Sequence, residues 1–464
     1  MLCQVLIKTP VGETESFELQ DVEMQGTVLA PLKCSIQIDS IGKYCYIYKT
    51  GLYQYKDACF VPPLSMIDDI AGITSCDSDS VVLNGILNSK IESKKQKFHE
   101  KKSVFIHIGP NKQKCHKLKV HESIMTKSES QKYLGDVICS SGLNTLNIKS
   151  RKNVGFSTIS QIKSILSEVK FGTYTIQSGL IMRDSILLSK LLLNSEVWHS
   201  VTKTQIEELE RIDRILLRQI LGAHSKTSIE WIYADCGRLD IHSIIQMRRL
   251  MYLWHILSRD DEELIYRTYQ IQCTSSVQGD WVRLVNSDKE ELGINLTNCE
   301  IKRFSKLSFK RFIKQKVTEN FLKKLNSLKV NHSKSQKLKC EKLNVAEYIK
   351  CSEFTTTQKK LLFKLRSKTI DVKANFPGIS NNNLCISCKL FPETQAHLLQ
   401  CAVLTNKLGY LSENAALLSE DDIYGSVEKQ KVIVNVFSDI LNIREKMKNE
   451  HQPLDEGPVH TVLV

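Results

Sequence analysis

Apolar and polar positions alternate over short distances in the first part of the chain. Short runs of β-branched and aromatic residues, such as SVFIHIG ending at Gly109, are separated by turn residues throughout positions 1–115. A period of two is typical of strands that bury one face. We therefore expect a small sheet with one or two helices in a first domain, residues 1–115.

The apolar spacing changes to that of helices after this region. Positions 158–169 and 241–257 carry apolar residues three and four apart, which predicts a helix in each. The clearest pattern lies between Thr204 and Gly222, TQIEELERIDRILLRQILG, where we expect a buried stripe of Ile206, Leu209, Ile212, Ile215, Leu216 and Ile220. Residues 116–270 are thus predicted to form a second, helical domain.

The ends of the helix at 204–222 also have sequence signals. Thr204 and Glu207 have the spacing of a capping box, and Gly222 is suited to the left-handed conformation that ends many helices. In contrast, residues 279–298 show only loose local order. We interpret them as a linker at the start of a third segment, residues 271–355.

Composition limits the class of protein. The chain has 464 residues, of which 42% are hydrophobic, so two to four structural units with their own cores are expected. No uncharged apolar stretch approaches the roughly 18 residues that a membrane span requires. The first residues, MLCQVLIKTPVGE, lack the pattern of a secretion signal. We expect an intracellular protein without a membrane partner.

Positive charge is concentrated in one segment. The chain contains 64 Lys and Arg against 51 Asp and Glu, a net charge of +13, and residues 301–350 alone hold 15 basic residues against three Glu. Lys310, Arg311 and Lys314 lie among phenylalanines there, a composition that can neutralise phosphates while the aromatic rings stack on bases or pack inward. The segment favours nucleic-acid binding, and a solvated lysine-rich helix face is the alternative.

The most specific short motif is LCISCKLFPETQAHLLQC. It contains Cys385 and Cys388, separated by two residues, followed by His397 and Cys401. A CxxC turn directs two sulfur ligands to one point, and His and Cys on one helix face can complete a tetrahedral Zn²⁺ site. The alternative is four unrelated residues, since the chain has 15 cysteines. We assign residues 356–410 to a structural zinc knuckle and residues 411–464 to a terminal helix and tail.

Two adjacent carboxylates interrupt an apolar run in PLSMIDDIAGI. Asp68 and Asp69 would occupy the turn of a buried hairpin with strands at 64–67 and 70–73. Carboxylate oxygens at such a turn suit Mg²⁺. An ordinary solvated Asp-Asp turn explains the same pair.

Several motifs in sequence order resemble a reverse transcriptase of the non-LTR retrotransposon class. MQGTVLAPL precedes the Asp-Asp hairpin, the lysine-rich KKSVFIHIG follows it, and QKYLGDVICSSG with later helices resembles the thumb. The Cys-His motif is similar to the terminal zinc knuckle of the same proteins. The resemblance implies an α+β fold in which a partial palm sheet precedes a mainly α-helical thumb and the knuckle.

The resemblance also implies residue roles. Asp68 and Asp69 match the Mg²⁺-binding pair, Gln25 and Gly26 match a loop against template and nucleotide, and Lys101 or Lys102 would lie near the triphosphate. Expected partners are an RNA template and a DNA primer or target, and the expected location is the nucleus.

One expected catalytic residue has no match. The family's third metal-binding Asp lies roughly fifty residues before the QG motif, and neither Asp21 nor Asp39 is placed to substitute for it. The pattern therefore predicts the C-terminal portion of an RNA-directed DNA polymerase that is inactive alone. A non-catalytic protein that binds RNA or single-stranded DNA is the alternative, and a reading frame without a selected function is a third.

Overall fold

Helices predominate in the structure, a computed structural model. The described part of the chain consists of residues 2–5, 8–9, 12–13, 15, 17–20, 39, 41–46, 52–54, 59–67, 69–94, 96–109, 117–120, 122–168, 176–274, 280–338, 340–376, 382–409 and 418–450. These residues form a mixed α+β structure with small sheets, as the sequence predicts at this coarse level. None of the helices described is long and apolar enough to cross a membrane.

The chain divides into two compact units. Unit 1 comprises Met1–Tyr133, Val137–Leu143 and Arg259–Val277, and unit 2 comprises Leu134–Asp136, Asn144–Ser258 and Gln278–Val464. Two units lie within the expected two to four. The finer division into five segments stays a prediction.

The strands are short and form two-stranded pairs in the described residues. They are β1 Leu2–Val5, β2 Lys8–Thr9, β3 Gly12–Glu13, β4 Phe17–Gln20, β5 Leu52–Gln54, β6 Cys59–Val61, β7 Leu64–Met66, β8 Asp69–Ala71, β9 Val104–Phe105, β10 Lys119–Val120, β11 Ser123–Ile124, β12 Thr126–Lys127, β13 Ser130–Tyr133 and β14 Asp136–Cys139. The pairs are β1–β4, β2–β3, β5–β6, β7–β8, β9–β12, β10–β11 and β13–β14. Strands β9 and β12 run parallel. Among these residues no larger sheet of the expected palm is formed.

The helices follow in chain order. They are α1 Asp77–Ser93, α2 Thr145–Glu168, α3 Ile176–Met182, α4 Leu188–Leu191, α5 Lys203–Leu221, α6 Ile229–Cys236, α7 Ile241–Leu257, α8 Leu264–Thr274, α9 Trp281–Glu291, α10 Asn298–Arg303, α11 Lys306–Asn331, α12 Glu347–Lys350, α13 Thr356–Arg366, α14 Gln395–Gln400, α15 Ala402–Leu408 and α16 Val427–Glu450. A π-helical turn, Arg183–Leu187, joins α3 to α4. In the described residues, 3₁₀ turns cover Ser333–Ser335, Lys373–Asn375 and Glu420–Tyr424.

Each unit has its own core. In unit 1, Leu83 and Ile91 of α1 pack with Ile41 and Cys45. The core of unit 2 is larger and joins residues from α2 to α16. It also buries an ion pair, in which Arg183 donates two hydrogen bonds to Asp213, at 2.7 and 2.8 Å. A buried charge is tolerated when it is paired and hydrogen-bonded in this way.

The structure confirms most of the predicted helical pattern. Helix α7 spans the predicted residues 241–257, and the predicted helix at 158–169 is the second half of α2 up to residue 168. Of the expected stripe on α5, Leu209, Ile212, Leu216 and Ile220 are buried, while Ile206 and Ile215 are partly buried. Gly222 ends α5 in the left-handed conformation, with φ 61°.

Two helix predictions were wrong. The capping box of α5 is formed by Thr202 and Gln205, two residues before the predicted pair, because Thr202 holds the extended conformation that a cap requires. The predicted linker at 279–298 contains α9, which the Asp280 side chain caps and which buries Trp281 and Val285. The segment is therefore an ordered helix with buried residues and not a linker.

Candidate metal centre and cationic helix

The four predicted zinc ligands lie together in unit 2. Cys385 and Cys388 bracket a tight turn in which Lys389 N–H donates to the Cys385 carbonyl at 2.9 Å. His397 lies on α14, which the Thr394 side chain caps, and Cys401 ends that helix one turn later. Short local elements thus position both ligand pairs: a turn positions Cys385 and Cys388, and a helix positions His397 and Cys401.

The ligand atoms are close enough to share one ion. The Sγ atoms of Cys385 and Cys401 are 4.0 Å apart, and Cys388 Sγ is 3.3 Å from His397 Nε2. All four ligand atoms lie within 4.8 Å of one another. Cys385 and Cys401 are each only 1% exposed. The cluster can therefore hold a metal ion such as zinc.

The environment already favours one charged thiolate. Desolvation opposes the charge, yet the backbone N–H groups of Leu390 and Phe391 and the His397 ring outweigh it and lower the pKa of Cys388 to about 6. Burial, together with the charges of Cys385 and Cys388, raises the pKa of Cys401 to about 11. Because thiolates are the metal-binding form, a bound cation would have to displace the proton of Cys401.

A buried carboxylate between the two ligand pairs anchors the centre. Glu393 is fully buried and accepts from the backbone N–H of Lys373 at 3.0 Å and of Ile386 at 3.3 Å. Arg444 of α16 donates two further hydrogen bonds to it. Burial raises the pKa of Glu393, but the hydrogen bonds and charge of Arg444 outweigh burial and hold it below its usual value. Sequence reasoning missed this pair, since nothing local links residues 51 positions apart.

Helix α11 carries the predicted cationic residues. Its buried face consists of Phe309, Ile313, Val317, Phe321 and Leu325. Lys310, Arg311 and Lys314 are exposed on the remaining surface, and they have no ion-pair partner in the part of the chain that the structure describes. The sequence leaves open whether the phenylalanine rings stack on bases or pack inward. In the structure Phe309 and Phe321 pack inward. Phe312 is half-buried, so exposed charge is the main feature that this helix offers to a ligand.

Three lysines of α11 follow one another at intervals of four residues. Lys306, Lys310 and Lys314 are all exposed. Residues four apart lie on the same helix face and are about 6 Å apart along the axis. This arrangement gives α11 a row of positive charges.

Several other lysines of the segment are neutralised or otherwise engaged. Lys324 Nζ lies 2.7 Å from Asp240, and Lys337 pairs with Asp421. Lys334 donates to the Asn375 carbonyl. The large net charge of residues 301–350 therefore overstates the charge that is available to a partner.

The Asp-Asp hairpin is present, with a shifted turn and an exposed surface. Strands β7 and β8 pair with Met66 opposite Asp69, so Asp69 belongs to a strand and not to the turn between the two strands. Asp69 lies exposed on β8, and Leu64 and Met66 are also exposed, at 38% and 54%. The expectation of buried strands was wrong. Asp68 lies outside the described residues.

Of the remaining predicted site residues, the two lysines lie in the described part of the chain. Lys101 and Lys102 are exposed in a turn, where the Lys102 N–H donates to the His99 carbonyl at 3.1 Å. Gln25 and Gly26 lie outside the described residues. Within the described ranges, Asp69 belongs to no group of side chains that could hold a metal ion, so the structure gives no support for Mg²⁺ there.

No family model matches the chain, and no curated protein or solved structure is similar to it.

Proposed function

We propose that this protein binds RNA or single-stranded DNA through unit 2, and that it derives from a reverse transcriptase of the non-LTR retrotransposon class. The observation that carries the binding proposal is the pairing of a Cys₃His cluster, its ligand atoms within 4.8 Å, with a row of exposed cations on α11. Thiolate and imidazole ligands favour Zn²⁺ at the cluster. With four protein ligands the ion has no open position, so its role is structural.

The binding mode follows from which groups are accessible. Lys306, Lys310, Arg311 and Lys314 can neutralise phosphates and release counterions, a contribution that does not depend on base sequence. Near the zinc centre, Leu390 and Phe391 are 73% and 59% exposed. Exposed apolar and aromatic groups favour unstacked bases over a closed duplex.

The polymerase activity remains a proposal that rests on the resemblance. It requires Mg²⁺ held by Asp68 and Asp69, together with a third carboxylate that positions the second ion. The exposed position of Asp69 on β8 leaves it accessible to an ion and a substrate. We place this function second, because Asp69 belongs to no group of possible metal ligands within the described ranges. A nuclear location likewise stays a prediction.

Fluorescence anisotropy with labelled single-stranded RNA and a duplex of the same sequence tests the binding proposal. The full chain is expected to bind the single strand more tightly. The variants Leu390→Ser and Phe391→Ser are expected to reduce that preference, and Leu384→Ser, on the same knuckle but less exposed at 37%, serves as the control. Equal affinity for both nucleic acids, or no binding at low salt, would contradict the proposal.

A further inference from the structure

A second group of metal-ligating side chains lies where α7 packs against α9. His242 is in the first turn of α7, and Asp288 and Glu291 are in the last turn of α9. One ligand atom from each lies within 4.8 Å of the others, and His242 Nε2 is 3.8 Å from Glu291 Oε2. None of these residues belongs to the Cys₃His centre or to the cationic row of α11.

Helical spacing explains why the three side chains meet. Asp288 and Glu291 are three residues apart and share one face of α9. His242 and Gln246 are four residues apart and share one face of α7. Packing of the two helices therefore brings one imidazole, two carboxylates and one amide to the same place.

Gln246 supplies a second observation at this place, a buried acceptor atom without a partner. Its side chain is 1% exposed, and its Nε2 donates to Glu291 Oε2 at 2.9 Å. Its Oε1 is buried and has no hydrogen-bond partner. A buried acceptor without a partner is unfavourable for folding, because it has lost its hydrogen bonds to water. Rotation of the amide would bring Oε1 next to the Glu291 oxygen, an approach that is favourable only with a cation between them.

The charges around the group leave room for a cation. Arg249 Nη1 donates to Asp288 Oδ2, and Asn320 Nδ2 donates to Glu291 Oε1 at 3.4 Å. Arg249 balances one of the two carboxylates, so one negative charge remains. His242 and Glu291 are 35% and 44% exposed, which gives an ion a path from solvent.

We propose that His242, Asp288 and Glu291, with Oε1 of Gln246 as a fourth ligand, bind one divalent ion of the Zn²⁺ type. An imidazole together with carboxylates suits Zn²⁺, whereas Mg²⁺ prefers oxygen ligands alone. The ion would tie the first turn of α7 to the last turn of α9.

The test is a Zn²⁺ titration of the metal-depleted full chain under reducing conditions, with bound metal measured after equilibrium dialysis. Two equivalents are expected for the unaltered chain. The variants His242→Ala and Glu291→Gln are each expected to weaken one equivalent by at least about tenfold. Glu290→Gln removes the same charge from the exposed neighbouring position and is expected to keep both.

Co²⁺ assigns each equivalent to its site. Ions in the Cys₃His centre produce thiolate-to-metal charge-transfer absorption, whereas an ion held by nitrogen and oxygen does not. The second equivalent should add no such absorption and should persist in Cys388→Ser. A single equivalent in the unaltered chain, or a second equivalent that His242→Ala and Glu291→Gln leave unchanged, would overturn the proposal.

Discussion

Arg444 donates two hydrogen bonds to the buried carboxylate of Glu393, from Nε at 3.0 Å and from Nη2 at 2.9 Å. Glu393 lies between the CxxC turn and His397, and Arg444 lies on α16. The pair therefore links the metal centre to the last described helix of unit 2. A fragment that ended near residue 410 would contain all four ligands and lack this link.

Loss of the Arg444 guanidinium is expected to destabilise unit 2. Arg444→Met would leave Glu393 charged and buried without its partner, which costs about 3–5 kcal/mol. Urea unfolding of the full chain measures the change. Lys448→Met on the same helix is the control, because Lys448 pairs with the exposed Asp371 and such pairs contribute about 1 kcal/mol or less. Equal effects of the two variants would contradict the role of the buried pair.

Loss of a ligand at the Cys₃His centre is expected to release one zinc ion. Cys388→Ser and His397→Ala each remove one of four ligands, and the remaining three cannot close the tetrahedral site. Metal analysis of the purified full chain measures the loss. Cys299→Ser changes an exposed cysteine of α10 and should leave the zinc content unaltered. Retention of that ion in both ligand variants would refute the assignment.

Glu210 is expected to make unit 2 less stable as pH rises. Burial, with a further contribution from the charge of Asp240, raises the pKa of Glu210 from 4.5 to about 7. Because the folded state holds the proton more tightly, this contribution to stability is full below pH 4.5 and is lost as pH rises through about 7.

The variant Glu210→Gln should remove this pH dependence. Its amide oxygen can still accept the hydrogen bond that Arg214 donates to Glu210, so the fold should be kept. Urea unfolding at several pH values between 4 and 8 should give a smaller decrease in stability for the variant than for the parent. The same decrease in both proteins would show that another group titrates.

The sequence predicts features that depend on near neighbours. Helix α7 and the stripe of α5 follow from apolar spacing over a few turns, and the Cys₃His cluster follows from ligands within 17 residues. Helix α9 was missed because its buried positions are few, with Trp281, Val282 and Val285 at one end. Its cap, Asp280, lies in a segment whose sequence predicts a linker.

Features that depend on distant packing could not be predicted. Glu393 meets Arg444, and His242 meets Glu291, only because separate helices pack together. The inward position of Phe309 and the pairing of Lys324 with Asp240 likewise depend on contacts between α7 and α11 and on the loop before α7. The composition therefore predicts the net charge of residues 301–350, but it does not predict which of these charges remain accessible to a partner.

The full chain is not expected to extend a primer. Two-metal catalysis needs a third carboxylate near the aspartate pair, and within the described ranges Asp69 belongs to no group of three possible metal ligands. Primer extension on an RNA template with Mg²⁺ or Mn²⁺ tests this, with Asp68→Ala combined with Asp69→Ala as the control. Activity that the double variant abolishes would show that another carboxylate completes the site.

The central claim is that the exposed cations of α11 contact nucleic-acid phosphates. Its most direct test is the slope of log K against log salt concentration for single-stranded RNA. Replacing Lys310, Arg311 and Lys314 by Gln should reduce that slope by up to about 2, since each phosphate contact contributes about 0.7. The control replaces Lys149, Lys163 and Lys203, three other exposed lysines of unit 2, and should leave the slope unaltered. An unchanged slope and affinity after the α11 replacements would contradict the claim.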